Sequence, residues 1–341
     1  MPDYKVAFWN VENLFGPEDH PHRLEWIKRK IQSDLKGWSH ALYSKKLGQL
    51  AKIIAAVDPD ILAVCEVEDA HVLQDLVAAV GPHLPHRTYA VIHTDSEKDK
   101  RGIDTAFLFD TTHFTVNPAL VFNHFVIRRT GTRDILQATF TSVAHAQDLV
   151  ILVNHWPSRS GGAEQSAGFR AAAAETLGYW HERIREETGD DTAVLALGDL
   201  NDDPWDPSVM FNANATREKG DVRRAKSAKF YNFAWEYMEV EAEDHQGGKR
   251  LINGTLYYNN DGNLFDQILA SPTLVKSRGV PFRVLDGTAR IELVPDMVDH
   301  RTGQGPRRFG LPKGDVSKVD VTGYSDHFPV SVMIRETAMG A

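Results

Sequence analysis

Five short groups of acid, amide and imidazole side chains could do chemistry in this chain: Asn10-Val11-Glu12-Asn13, Glu66, Asn154-His155, Gly198-Asp199-Leu200-Asn201 and Ser325-Asp326-His327. Each borders an apolar run. Asp, Glu, Asn and His together supply what a hard divalent cation and a phosphate ester need. They offer oxygen ligands, a proton acceptor, and neutral or cationic donors to phosphoryl oxygens.

In an extended chain, positions two apart point the same way. Asp199 and Asn201 can thus address one point at a strand's end, Asp199 orienting or deprotonating a water and Asn201 holding a phosphoryl oxygen or a metal-bound water. Glu66 ends the apolar run 61–65. Acids are almost never fully buried unpaired, so it is expected to meet a metal or a base. Asn10 follows Phe8-Trp9 in the same manner. His155 opens Trp156-Pro157-Ser158-Arg159, which brings an imidazole, a hydroxyl and a guanidinium suited to charged oxygens. Asp266 lies inside the apolar run 264–270, where an unpaired carboxylate is costly, and His327 is its expected partner. Taken singly, each group is also ordinary turn or capping chemistry. Their convergence at one edge of the sheets is the expectation.

The elements that must position them are short. Strand-like runs of mostly four to seven residues recur at 6–9, 61–64, 89–92, 105–109, 136–141, 149–153, 193–197, 264–270 and 330–334. Helical periodicity runs over 45–57, 72–80 and 169–187. The stretch 105–153 reads as meandering strands rather than strict βαβ alternation, which points to an α+β design of sheets packed face to face with helices outside. No linker or repeat divides residues 1–341, so a single domain is expected, with insertions at 16–44 (a short amphipathic helix over 24–35) and at 276–321 (long loops, which are often functional).

With 42% hydrophobic residues the chain can bury a sizeable core. A net charge of -9 argues against an indiscriminate coat for polyanions, because such affinity needs clustered Lys and Arg. It does not argue against a metal that bridges carboxylates to phosphate. Cys65 is the single cysteine, within an apolar run, and reads as a core thiol. No apolar run is long enough to span a membrane and no leader pattern is visible, so a cytoplasmic monomer is expected.

Together, residues 8–15 (Phe-Trp-Asn-Val-Glu-Asn-Leu-Phe), Pro59-Asp60-Ile61 through Glu66, Asn154-His155-Trp156, Gly198-Asp199-Leu200-Asn201, Phe265-Asp266-Gln267 and Ser325-Asp326-His327-Phe328-Pro329-Val330 resemble the endonuclease/exonuclease/phosphatase superfamily. That group includes the pancreatic-type DNases and the AP endonucleases. The motifs come in the family's order over residues 8–330. The resemblance implies a four-layered α/β/β/α sandwich of two packed mixed sheets. It implies Mg²⁺ or Mn²⁺ bound mainly by Glu66, with Asn10, Glu12 and Asp326 near it. Asp199 would activate the water, Asn201 and His155 would hold the phosphate, and His327, oriented by Asp266, would stabilise the transition state. Asn154, Arg159, Arg101 and Asp104 are the expected substrate-side contacts, the last two in Arg101-Gly102-Ile103-Asp104, similar to a segment of bacterial members.

Core and fold do not fix the substrate. The inositol-phosphatase branch carries a Pro-x-Trp-Cys-Asp-Arg stretch that is lacking here, and the motifs look more like bacterial nuclease-like members. A nucleic-acid substrate is the expectation, with a small-molecule or lipid head-group phosphate as the alternative. A non-catalytic phospholigand binder is a lesser one, since the core positions are all present. Two basic stretches, Arg217 to Lys229 with aromatics behind and Arg301 to Lys313, could grip a backbone. Charged runs are more often solvated faces, with the aromatics on the core side of a helix.

Overall fold

The computed structural model describes residues 1–95, 101–127 and 132–338. Its first two thirds run β1 (Asp3–Leu14), α1 (Glu25–Leu35), α2 (His40–Val57), β2 (Ile61–Val67), α3 (Ala70–Val80), β3 (Tyr89–His93), β4 (Asp104–Asp110), β5 (Phe114–His124), β6 (Ile135–Ser142), β7 (Asp148–His155), α4 (Ala163–Thr188) and β8 (Ala193–Asp199). Helices α2 and α3 start where short polar side chains cap them. Ser39 accepts from Leu42 N–H ahead of α2, and Asp69 accepts from Val72 N–H ahead of α3.

Two seven-stranded mixed sheets form. In the first, β1 lies parallel to β2 and antiparallel to the last strand, Val330–Glu336, and β4 and β3 follow beyond β2. In the second, β5 to β8 are joined by the strand Asp266–Ala270 and two short strands. The sequence misses β5 as a strand, because its middle is exposed at the sheet edge and carries Pro118. The stretch 276–321 contributes Phe282–Val284 and Arg290–Ile291 to the first sheet as well as loops.

Period-two alternation builds the layers. Along β7, Leu149, Ile151 and Val153 face the core between the sheets, while Val150 and Leu152 pack with Ala173, Ala174 and Leu177 of α4. Along β8, Ala193, Leu195 and Leu197 face inward and Val194 and Ala196 outward. The two sheets meet through contacts such as the edge-to-face pair Phe107–Phe140, with centroids 5.2 Å apart. With α2 and α3 on the first sheet and α4 on the second, the result is a four-layered α/β/β/α sandwich.

The same parity aims the polar strand ends. His155, Asp199 and Asp266 continue the inward rows, and the registers His155↔Asp199 and Asp266↔Asp199 set them side by side on three adjacent strands. Between them, Gly198 pairs with Asn154. A Cβ at Gly198 would lie 2.1 Å from the Asn154 carbonyl oxygen, and its φ is +154°. Gly198→Ala is therefore expected to abolish the cooperative thermal transition. Gly168→Ala, inside α4 with no atom within 4 Å of the added Cβ, should stabilise by about 0.5–1 kcal/mol. Thermal melts of both variants check the pair, and a native-like melt for Gly198→Ala would refute the packing argument.

Candidate active site

The inward rows of both sheets end in one cleft of about 680 Å³. Glu66, His155, Asp199, Asn201, Asp326 and His327 line it, with Arg101, Tyr257, Tyr258, Arg308 and Lys313 further out. β1 and β2 bulge where they deliver their polar residues. Glu12, Asn13 and Glu66 all take left-handed backbone, as does Asn201 after β8, with φ of 55°, 49°, 65° and 49°.

His327 is the hub. Its Nδ1 is 2.8 Å from Asp266 Oδ2 and its Nε2 3.8 Å from Asp199 Oδ2. Burial pulls the imidazole's pKa down, but Asp266 and Asp199 outweigh it and hold the ring well above its ordinary value. Asn10 Nδ2 donates to Asp199 Oδ2 at 3.1 Å, and Asn201 N–H donates to Asp199 Oδ1 at 3.0 Å. Burial pushes the Asp199 carboxyl up to about 6 against the pull of His327, with nearby Asp266 adding to the rise. Asn201 donates its amide to the Trp156 carbonyl at 3.1 Å.

Glu66 stands on the opposite wall. Its Oε2 accepts from Asn13 N–H at 2.9 Å, and its Oε1 lies 3.7 Å from His155 Nε2 and 3.9 Å from Arg101. Burial would raise this carboxyl, but Arg101, Arg133 and His327 bring it below its ordinary range. His155 is held far below its ordinary value by burial and then by Arg133, whose Nε donates to Nδ1 at 3.2 Å. The arrangement thus sets a neutral imidazole, an imidazolium and an ionised glutamate around an aspartate with a pKa near neutrality. Such a set can deprotonate or aim a water and stabilise charge on phosphoryl oxygens.

Several expected contacts lie elsewhere. Asn154 is one residue out of phase with His155, so it faces outward, donating to the Leu152 and Leu197 carbonyls and accepting from Trp156 Nε1. Arg159 grips the turn behind the cleft, reaching the Asn201 carbonyl at 2.8 Å and Asp202 at 2.8 Å. Asp104 is buried at the start of β4 beside His93. Glu12 is buried off the cleft wall, hydrogen-bonded by Arg308 and 3.8 Å from Lys46. Among the basic stretches, Arg308 and Lys313 reach the cleft. Lys219, Arg223 and Arg224 sit near the far end of the second sheet, with Lys219 on Asp286, Arg223 on the Val275 carbonyl and Arg224 on Asp221. Phe230 and Phe233 behind them are core. Sequence reasoning missed Arg133, Lys46, Tyr257 and Tyr258. Of these only Arg133 had a signal, a cation at the entry to an apolar strand.

The sequence model of the Endonuclease/Exonuclease/phosphatase family matches residues 5–336. The chain belongs to this family. Similar solved structures include an endonuclease/exonuclease/phosphatase family protein from Bacteroides thetaiotaomicron (16% identity, covering 98% of this chain and 97% of that one, TM-score 0.54). A mannosyl-6-phosphatase of Bacteroides thetaiotaomicron is 16% identical (97% and 99%, TM-score 0.55). The human Nocturnin catalytic domain, solved with a bound sulfate anion, is 15% identical (98% and 95%, TM-score 0.51). At these identities the likeness is one of fold. Comparison with curated proteins gives no match. No helix among the described residues is long and apolar enough to cross a membrane.

The family's enzymes are metal-dependent phosphoric ester hydrolases that use divalent metals. The donor set here fits such an ion. Glu66 and Asp326 both bring carboxylate oxygens to the cleft, and oxygen donors suit a hard cation.

A stability test follows from Asp199. Its pKa is raised by folding, so ionised Asp199 costs stability above pH 6, and the cost disappears as the pH falls from 6 towards 3.8. Asp199→Asn should therefore melt at or above the wild-type temperature at pH 8, with the gap narrowing by pH 4. A variant that melts well below wild type at pH 8 would contradict the charge balance described.

Proposed function

We propose that this protein is a Mg²⁺- or Mn²⁺-dependent phosphodiesterase that hydrolyses nucleic acid by attack of a water held on Asp199. The observation that carries the reading is the grouping of Asp199, His327, His155 and Glu66 at the floor of one cleft, with buried Asp266 behind His327 and Arg101, Arg308, Lys313, Tyr257 and Tyr258 on the rim. Three cations and two tyrosines flanking the floor suit a polyanion with stackable bases.

In this reading Asp199, fixed by Asn10 and the Asn201 N–H, accepts the water's proton. Positive His327 donates from Nε2 to a nonbridging oxygen while Asp266 holds Nδ1. Asn201 uses its second amide N–H, and neutral His155 its ring, to position the phosphate. Glu66 and Asp326 would hold the cation, with Glu12 a layer behind them. The cation, when bound, neutralises charge developing on the phosphoryl and leaving oxygens. Arg159 acts indirectly, by bracing the turn that carries Asn201.

A panel of single- and double-stranded DNA, RNA, an abasic duplex, bis-p-nitrophenyl phosphate, mannose 6-phosphate and inositol phosphates, each with Mg²⁺ and Mn²⁺, tests the substrate class. Diester cleavage is expected. Turnover of phosphomonoesters alone would overturn the nuclease reading and favour the sugar-phosphate chemistry named for the Bacteroides phosphatase. Asp199→Asn and His327→Ala should each lower kcat by about 10²–10⁴-fold, and kcat should fall with acid on protonation of a group near 6. Wild-type rates in both variants would remove these residues from the mechanism.

A further inference from the structure

Outside the cleft walls, the ends of β3 and β4 gather His93, Asp95 and Asp104. One ligand atom from each lies within 4.8 Å of the others. His93 Nε2 is 3.7 Å from Asp104 Oδ2, and Nδ1 is 3.9 Å from Asp95 Oδ1. The imidazole is 5% exposed, and its Nε2 makes no hydrogen bond among the described residues. A buried polar nitrogen without a partner is uncommon and costly. A direct hydrogen-bonded ion pair does not account for it, because both carboxylates stand beyond hydrogen-bond distance. Burial also pulls this imidazole below its ordinary pKa, which leaves a lone pair on the ring.

We propose that His93, Asp104 and Asp95 form a second metal site, separate from the catalytic one, for a borderline divalent cation such as Zn²⁺. An imidazole with two carboxylates suits Zn²⁺ or Co²⁺, whereas Mg²⁺ takes oxygen ligands and keeps its waters. With metal–ligand bonds of ~2.0–2.2 Å, ligand atoms of a tetrahedral site stand roughly 3.3 Å apart. His93 and Asp104 need close by only a few tenths of an ångström. Asp95, with a side chain 86% exposed, is free to swing in, and water completes the shell. The ion would clip β3 to β4 where Asp104 pairs with Val67, next to Glu66. It would therefore brace the segment that presents Arg101 to the cleft.

The site stands on geometry that does not depend on the substrate. The test uses the full chain, stripped by chelator and titrated with Co²⁺ under saturating Mg²⁺ and, separately, in a Glu66→Gln background that weakens the cleft site. Visible absorption reports the coordination geometry of bound Co²⁺, and elemental analysis after Zn²⁺ loading gives the stoichiometry. One equivalent is expected in both settings, with a raised melting temperature. Asp95→Asn, at an exposed position, should keep the fold and Mg²⁺-supported turnover while raising the dissociation constant at least about ten-fold. His93→Gln should remove the Co²⁺ signal. Absence of the equivalent in either setting, or binding unchanged in both variants, would overturn the proposal.

Discussion

The structure depends on keeping two like charges apart with one imidazolium. Asp199 and Asp266 face each other in register on adjacent strands, both buried. Neighbouring carboxylates disfavour each other's ionisation, and His327 lies within 4 Å of both. Loss of His327 would strand both carboxylates, and removing the countercharge of a buried ion pair typically costs about 3–5 kcal/mol. The loop that carries His327 is therefore tied from every side. Trp9 Nε1 donates to the His327 carbonyl at 2.8 Å, Ser325 Oγ donates to the Asn10 carbonyl at 2.6 Å, and Phe328 N–H donates to the Thr255 carbonyl at 2.8 Å. These bonds join the last strand's entry to β1 of the first sheet and to the approach of Asp266 in the second. The charge balance and the docking of the two sheets are one constraint.

The opposite wall solves a related problem with different means. Glu66 is kept ionised by Arg101, Arg133 and His327 from the side and by a backbone N–H from below. Its left-handed backbone costs roughly 1–2 kcal/mol for a residue with a Cβ, and Glu12, Asn13 and Asn201 share that conformation. Strain grouped at strand ends persists only where the surroundings over-determine it. Here the sheet registers on either side of each bulge do so. The bulges end strand pairing and turn the carboxylate towards the cleft.

Most of the layered fold was legible because buried strands read as apolar runs, and the runs name their own ends. Glu66, Asp199 and Asp266 were visible as acids that apolar segments could not shelter alone, and His327 as the base that Asp266 required. The rest failed for identifiable reasons. Asn154 and His155 are neighbours in sequence, and parity sends them to opposite faces. Arg159 belongs to a loop, where no period fixes direction, and it turned to the acids of its own turn. Arg133 precedes its strand instead of ending one. Tyr257 and Tyr258 sit on the short hairpin Leu256–Tyr258 and Asp261–Asn263, too brief to show alternation. The basic run 217–229 was ambiguous on composition; Phe230 and Phe233 behind it are core, while Arg217 lies over the half-buried Trp235 ring.

Glu12 shows how the loops that would meet a substrate are held. It is buried between Lys46 of α2 and Arg308 of the loop 306–311, and burial pushes its carboxyl up to about 7 while both cations pull it down. Lys46 spends its own charge on the Tyr324 carbonyl, 2.6 Å away, beside the turn that leads to Asp326. Arg308 lies 3.7 Å from Asp326 on its other side. The result is a chain of alternating charges from helix to strand to loop, ending at a cleft carboxylate. A loop anchored only by exposed pairs would gain little from them, whereas this one is fixed by a carboxylate with almost no access to water. Variation of the residues beyond the anchor, such as Lys313, can then change what the cleft admits without disturbing the groups at its floor.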